Sequence, residues 1–296
     1  MNELYGIDPN AEIGIRDLHL LLKTFGFSHG RFIGAFPENL WLDELRKNVK
    51  LSGFDSSRLT RILSKNSDAI IPVRQQYKIK KNYPKDWLEN ALEMKNTHKV
   101  FTEIFSNTKD RFFDGPSLED LLIEDEYDPS LSRGAHISAD LQSYMHVMKP
   151  LLMKSSEIHF VDKFFFPLQN NSLKQKFIRA LFIELKKSNR CERIYFHLSY
   201  QIFSPNKVFD SILEDDFIFY INELRKESDF LKLGISYYLH EKMTHGRYFF
   251  SIKGGLQFDN GIMFKQNYEN HIHWLGRNEL EPLLDIYMEN ISFKSF

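Results

Sequence analysis

The chain has 296 residues, a length that at roughly 100–200 residues per domain suggests two domains. Its 42% hydrophobic and 27% charged residues are those of a globular chain able to bury a core, and a formal net charge of −1 excludes a global field that would draw it to nucleic acid or anionic lipid. One cysteine, Cys191, excludes an internal disulfide and the usual cysteine-rich zinc sites.

The start, Met1-Asn2-Glu3-Leu4, has neither the basic residues nor the apolar stretch of a signal peptide, and no window approaches the ~18 apolar residues of a membrane span. A cytoplasmic protein without a membrane span is expected. In chain order, Ile13, Leu18, Leu21, Leu22 and Phe25 recur at helical spacing, with Gly26 placed as a helix stop. Gly30 to Pro37 reads as a short extended or turning stretch. Trp41, Leu42, Leu45 and Val49 mark a second helix, and Leu59, Ile62 and Leu63 a third capped by Ser56 or Ser57. Trp87, Leu88, Ala91, Leu92 and Met94 mark a fourth, begun near Pro84. Residues 1–110 are therefore expected to be a mostly α-helical N-terminal domain. Residues 111–135, with Gly115-Pro116 and Asp128-Pro129, read as an acidic connector, and 111–155 hold 4 basic against 8 acidic residues.

Residues 136–296 change grammar. After a helix over Ser138 to Met153, short apolar runs at 158–162, 193–198 and 235–239 alternate with helices over Leu173 to Lys187 and Val208 to Leu224. Strands spaced by helices of that length predict βαβ crossovers and an α/β domain with a largely parallel sheet. Tyr248 to Ile252 and Leu256 to Phe264 then flank Lys253-Gly254-Gly255, a hairpin turn. A strand over His271 to Leu275 and a helix over Glu279 to Met288 close the chain. The 27 Phe and 13 Tyr fall mostly inside these runs, as core packing requires. Base-stacking platforms are the other use of such rings.

Parallel sheets bind ligands at the carboxyl ends of their strands, where Asp162 follows the first expected strand. His245 and Arg247 are two apart, so on a strand they would face one side, an imidazole beside a permanent cation that suits a phosphate. The pair His271 and His273 also shares a strand face, and with Asp162 or Asp259 could ligate a metal, although no cysteine or His-Glu-x-x-His helix supports it. No cofactor is expected. In the first half, Arg74, Lys78, Lys80 and Lys81 interleave with Tyr77 and Tyr83, which suits a nucleic-acid backbone with stacked bases as well as a solvated loop.

A strand ending in Asp162, two βα units, His245-Gly246-Arg247, Gly254-Gly255 and Asn260-Gly261-Ile262 together resemble the phospholipase D-like superfamily over about residues 138–296. The likeness is to its divergent His-x-Arg branch, which includes the C-terminal domains of MIT-domain proteins. The enzymatic signature of that superfamily is His-x-Lys followed by an Asp. Here Arg247 stands for the Lys, Ile252 stands where the Asp would be, and one copy is present where active enzymes unite two. The resemblance implies a phosphodiester-engaging protein, with His245 as nucleophile through a phosphohistidine and Arg247 clamping phosphate. It further implies a metal-independent nuclease or phosphodiesterase, a homodimer, and a setting in bacterial phage defence or mobile elements. The alternative is a non-catalytic module that binds nucleic acid or a protein partner within a larger assembly. A metal-dependent hydrolase is a third reading.

Overall fold

The computed structural model describes residues 3–38, 40–50, 55–73, 83, 85–107, 113–123, 134–163, 165, 172–204, 210–243, 246–288 and 294–295. The chain divides into two units, Asn2–Ser132 and Arg133–Phe296.

The first unit is built on β1 (Glu3–Ile7), β2 (Ile13–Gly14), α1 (Ile15–Lys23), β3 (Arg31–Ala35), α2 (Trp41–Asn48), β4 (Val49–Lys50), α3 (Asp55–Lys65), β5 (Ile70–Pro72), α4 (Trp87–Asn96), β6 (Glu103–Phe105) and α5 (Leu118–Ile123). The four helices expected from periodicity stand where it places them, but the unit is not a helical domain. Between them runs a four-stranded, wholly parallel sheet in the order β5-β3-β1-β6, with β2 and β4 pairing separately. The correction has a physical cause: these strands are three to five residues long, and β1, β3 and β5 are buried through most of their length, so they show no alternation of apolar and polar residues. Two buried indoles fasten strand ends to helices, Trp41 Nε1 donating to the Ile7 carbonyl and Trp87 Nε1 to that of Phe36, each at 2.7 Å. Within the acidic stretch, Leu118 and Leu121 of α5 join this unit's core.

The second unit comprises β7 (Gly134–Ser138), α6 (Leu141–Lys154), β8 (Glu157–Val161), α7 (Ser172–Ser188), β9 (Arg193–Ser199), α8 (Ser211–Glu227), β10 (Gly234–His240), β11 (Tyr248–Ser251), β12 (Gly254–Phe258), β13 (Glu269–Leu275), α9 (Arg277–Met288) and β14 (Lys294–Ser295). It is α/β, as the sequence predicts. Its eight-stranded sheet has the order β14-β10-β9-β8-β11-β12-β13-β7. The neighbours β8, β9 and β10 are parallel, linked by α7 and α8, while β11, β12, β13 and β7 continue antiparallel. The side chains of Asp140 and Asp210 cap α6 and α8 by accepting backbone N–H bonds from their first turns.

Both faces of β8 are covered. On one, Phe160 packs against Phe177 of α7, Phe196 and Phe249; on the other, Val161 and Phe250 lie under Leu280, Leu283 and Tyr287 of α9. Burial on both sides is why the run Ile158-His159-Phe160-Val161 carries no polar alternation. Among the described residues, no helix is long and apolar enough to cross a membrane.

Candidate anion site at the carboxyl edge of the second sheet

Strand β8 stops at Val161 and hands Asp162 to the carboxyl edge of the parallel strands, where its side chain is buried at 3% exposure. Its Oδ2 accepts the Ile262 N–H at 3.3 Å. Strand β11 runs antiparallel beside β8 with Tyr248 paired to Val161, so Arg247 and Asp162, the residues just beyond that pair, come to the same edge. These residues are far apart in the chain, and nothing in their local spacing announces the approach.

Gly261 forms the floor between the two side chains. Its φ of +69° is in the left-handed region, and a Cβ there would sit 2.6 Å from Asp162 Oδ2 and 2.7 Å from Arg247 Cδ. Arg247 is further oriented by its own Nη1, which donates to the Asp259 carbonyl at 2.6 Å, and by its carbonyl, which accepts from Phe258 N at 2.9 Å. Sequence reasoning passed over a third member, Lys174 in the first turn of α7. Burial lowers its pKa, while the Asp162 charge acts to raise it. Its ammonium stands 5.5 Å from the Phe165 ring centroid. Arg247 thus converges on one buried carboxylate whose charge also acts on Lys174, and a fork-shaped donor can hold phosphate oxygens.

His245 lies outside the described residues, as do Arg74, Lys78, Lys80 and Lys81. Strand β11 begins at Tyr248, so strand alternation does not extend back to Arg247. His271 and His273 do share a face of β13, and Asp259, not Asp162, is the carboxylate grouped with them.

Three other histidines meet on the face of the sheet under α9. His159, His197 and His240 lie on the adjacent strands β8, β9 and β10 and join in a diagonal chain, His159 Nδ1 to His197 Nε2 and His197 Nδ1 to His240 Nε2, both at 3.0 Å. Burial pulls His159 and His240 down to about 4, and drives His197 well below its ordinary value with help from its two neighbours.

The first unit has a strand-end carboxylate of its own. After β3 and β5 are laid down to one side of β1, the chain returns to place β6 on the other, and in sheets of this kind the reversal opens the ligand crevice. Asp8, at 2% exposure, stands there at the end of β1. Its Oδ2 accepts the Ser106 hydroxyl at 2.6 Å, and its Oδ1 the backbone and side-chain N–H groups of Asn10 at 2.9 and 3.0 Å. The signal that could have found it is the one that found Asp162, a short apolar run ending in Asp.

No protein-family model and no curated protein matches the sequence. Among solved structures, the chain is similar to TrmBL2, described as an archaeal chromatin protein showing a novel mode of DNA binding, at 16% identity and a TM-score of 0.28, over 68% of this chain and 63% of that one. It is also similar to a polyphosphate kinase from Porphyromonas gingivalis, at 12% identity and a TM-score of 0.29, over 54% of this chain and 27% of that one. The chain thus spans less than two thirds of either.

Proposed function

We propose that the second unit is a phospholipase D-like domain that binds phosphodiesters, nucleic acid foremost, at the edge defined by Asp162, Arg247 and Lys174. The observation that carries this reading is the convergence of Asp162 and Arg247 over Gly261, at the place where a parallel sheet presents ligand-binding groups. Asp162 sets a buried carboxylate at that edge, Arg247 grips phosphate oxygens, and Lys174 adds a second positive charge. Binding, with or without turnover, is the core of the proposal. Hydrolysis belongs to it only through His245: its ring nitrogen would bond to phosphorus as the P–O bond to the leaving alkoxide breaks, and water would then cleave the P–N bond. The basic segment from Arg74 to Lys81 serves as an accessory polyanion contact, and a homodimer supplies the second copy that hydrolysis requires.

The test is fluorescence anisotropy with a single-stranded oligonucleotide over a salt series, the chain's oligomeric state being read by gel filtration. Hydrogen bonds to charged groups contribute about 1.5–3 kcal/mol, so Arg247→Ala is expected to weaken binding about 10-fold or more and to reduce the salt slope by about 1. Binding unchanged by Arg247→Ala at every salt concentration overturns the site. Hydrolysis of the same oligonucleotide, lost in His245→Ala, adds catalysis to it.

A further inference from the structure

We infer that Asp259, His271 and His273 form a binding site for a divalent first-row transition cation on the second sheet, on the face of β13 that also carries Leu275. The inference does not depend on the phosphodiester reading. Over Glu269 to Trp274 strand β13 alternates, with Asn270, Ile272 and Trp274 buried and His271 and His273 on the other face, so pairing with its neighbours fixes both imidazoles on one side. Asp259 follows the last residue of β12, and its N–H donates to the His271 carbonyl at 3.1 Å, continuing the β12–β13 register. All three groups are therefore carried on paired backbone.

The three residues each bring one ligand atom within 4.8 Å of the other two. His271 Nδ1 and Asp259 Oδ2 are 3.2 Å apart. Tetrahedral coordination at bond lengths of about 2.0–2.2 Å separates neighbouring ligand atoms by roughly 3.3–3.6 Å, so this pair lies just inside the spacing of two corners. The His271 and His273 rings meet edge to face at 4.3 Å between centroids. An ion pair between Asp259 and a protonated imidazole would need only one histidine; here a second is brought to the same place.

The backbone beneath is cut to fit. Gly134 of β7 pairs with His273, and a Cβ at that glycine would lie 2.9 Å from His271 Nε2 and 3.3 Å from His273 Cε1, so the missing side chain is what leaves room for both rings. His136, the register partner of His271, sets a further imidazole ring 4.7 Å from the His271 ring. The side chains of His271 and Asp259 are 30% and 44% exposed, so a hydrated ion can reach them. Two imidazoles and one carboxylate suit zinc, iron(II) or cobalt(II) rather than calcium or magnesium, which prefer oxygen donors alone.

The position gives the ion a consequence. The carboxylate of Asp259 faces His271, while its carbonyl accepts from Arg247 Nη1, and Gly261 lies two residues on. A cation bound here fastens the turn that carries Arg247's partner and the floor under Asp162.

The full chain, stripped of metal by chelator and dialysed, is titrated with Zn²⁺ against a chromogenic chelator and separately with Co²⁺. One equivalent per chain is expected, with visible cobalt absorption of four-coordinate N/O ligation. Loss of an outer-sphere partner alone costs a metal site about 10–100-fold in affinity, so His273→Ala should cost at least about 100-fold. Asp259→Asn, a change at an exposed turn, checks the same point should the histidine variant fail to fold by circular dichroism. Less than half an equivalent bound by the wild-type chain, or wild-type affinity in folded His273→Ala or Asp259→Asn, overturns the site.

Discussion

His159 Nδ1 lies 3.0 Å from His197 Nε2, in contact between two fully buried imidazoles on adjacent parallel strands. His159 is stacked between the rings of Tyr195 and Phe250 at 4.6 and 5.0 Å, and Tyr287 closes over His197 at 5.0 Å. The strands hold these rings diagonally: His197 pairs with Tyr238 of β10, and its neighbour Ser199 with His240.

This arrangement fixes a pH response. The unfolded chain takes up protons below about 6.5, whereas folded His159 and His240 refuse them until about 4, and burial holds His197 well below its ordinary value. Stability is therefore complete above about pH 6.5 and falls as pH drops toward 4, by on the order of 3 kcal/mol for His159 alone. Urea unfolding between pH 7.5 and 5, above the main carboxylate range, should show a falling midpoint at constant slope. His159→Phe keeps the ring stack and should flatten the dependence. A midpoint indifferent to pH in wild-type protein contradicts it.

Gly261→Ala should damage both fold and binding. A non-glycine residue in the left-handed region costs about 1–2 kcal/mol, and the added methyl collides with Asp162 Oδ2 and Arg247 Cδ. Denaturation should register at least that loss, and oligonucleotide affinity should fall with it. An alanine variant as stable as wild type would show that this turn is laid out differently.

Arg247→Lys separates charge from shape. Lysine keeps the charge but cannot both reach the Asp259 carbonyl and present a planar fork. Anisotropy should find it closer to Arg247→Ala than to wild type in affinity, with a salt slope near wild type. Full affinity in Arg247→Lys would reduce the residue's part to a point charge.

In the first unit, Asp8→Ala removes the acceptor of three N–H or O–H donors at the end of β1. Bonds to a charged acceptor are worth about 1.5–3 kcal/mol each, so chemical denaturation should show a loss of about 3 kcal/mol or more. Ser106→Ala, which removes a single bond, should cost less. Equal costs for the two would refute the ordering.

The sequence by itself determined the local elements and one stretch of sheet. Leu18, Leu21 and Leu22, or Leu59, Ile62 and Leu63, specify helices because an apolar stripe has one way to be buried. The hairpin was legible, although its turn falls at Ile252-Lys253 and Gly254 and Gly255, expected in the turn, pair within β12. The neighbours β8, β9 and β10 were legible too, since each strand is set off by a helix too long for a hairpin link. The short strands of the first unit were not. Ile70-Ile71-Pro72 and Glu103-Ile104-Phe105 carry too few residues for any period, and only burial on a shared sheet shows them as strands. Strand order and register were decided wholly in three dimensions. They set Arg247 against Asp162, put Asp259 with His271 and His273, and made a chain of His159, His197 and His240. Each of these contacts spans residues far apart in sequence, and pairing between strands, which no local pattern encodes, is the interaction that closes such distances.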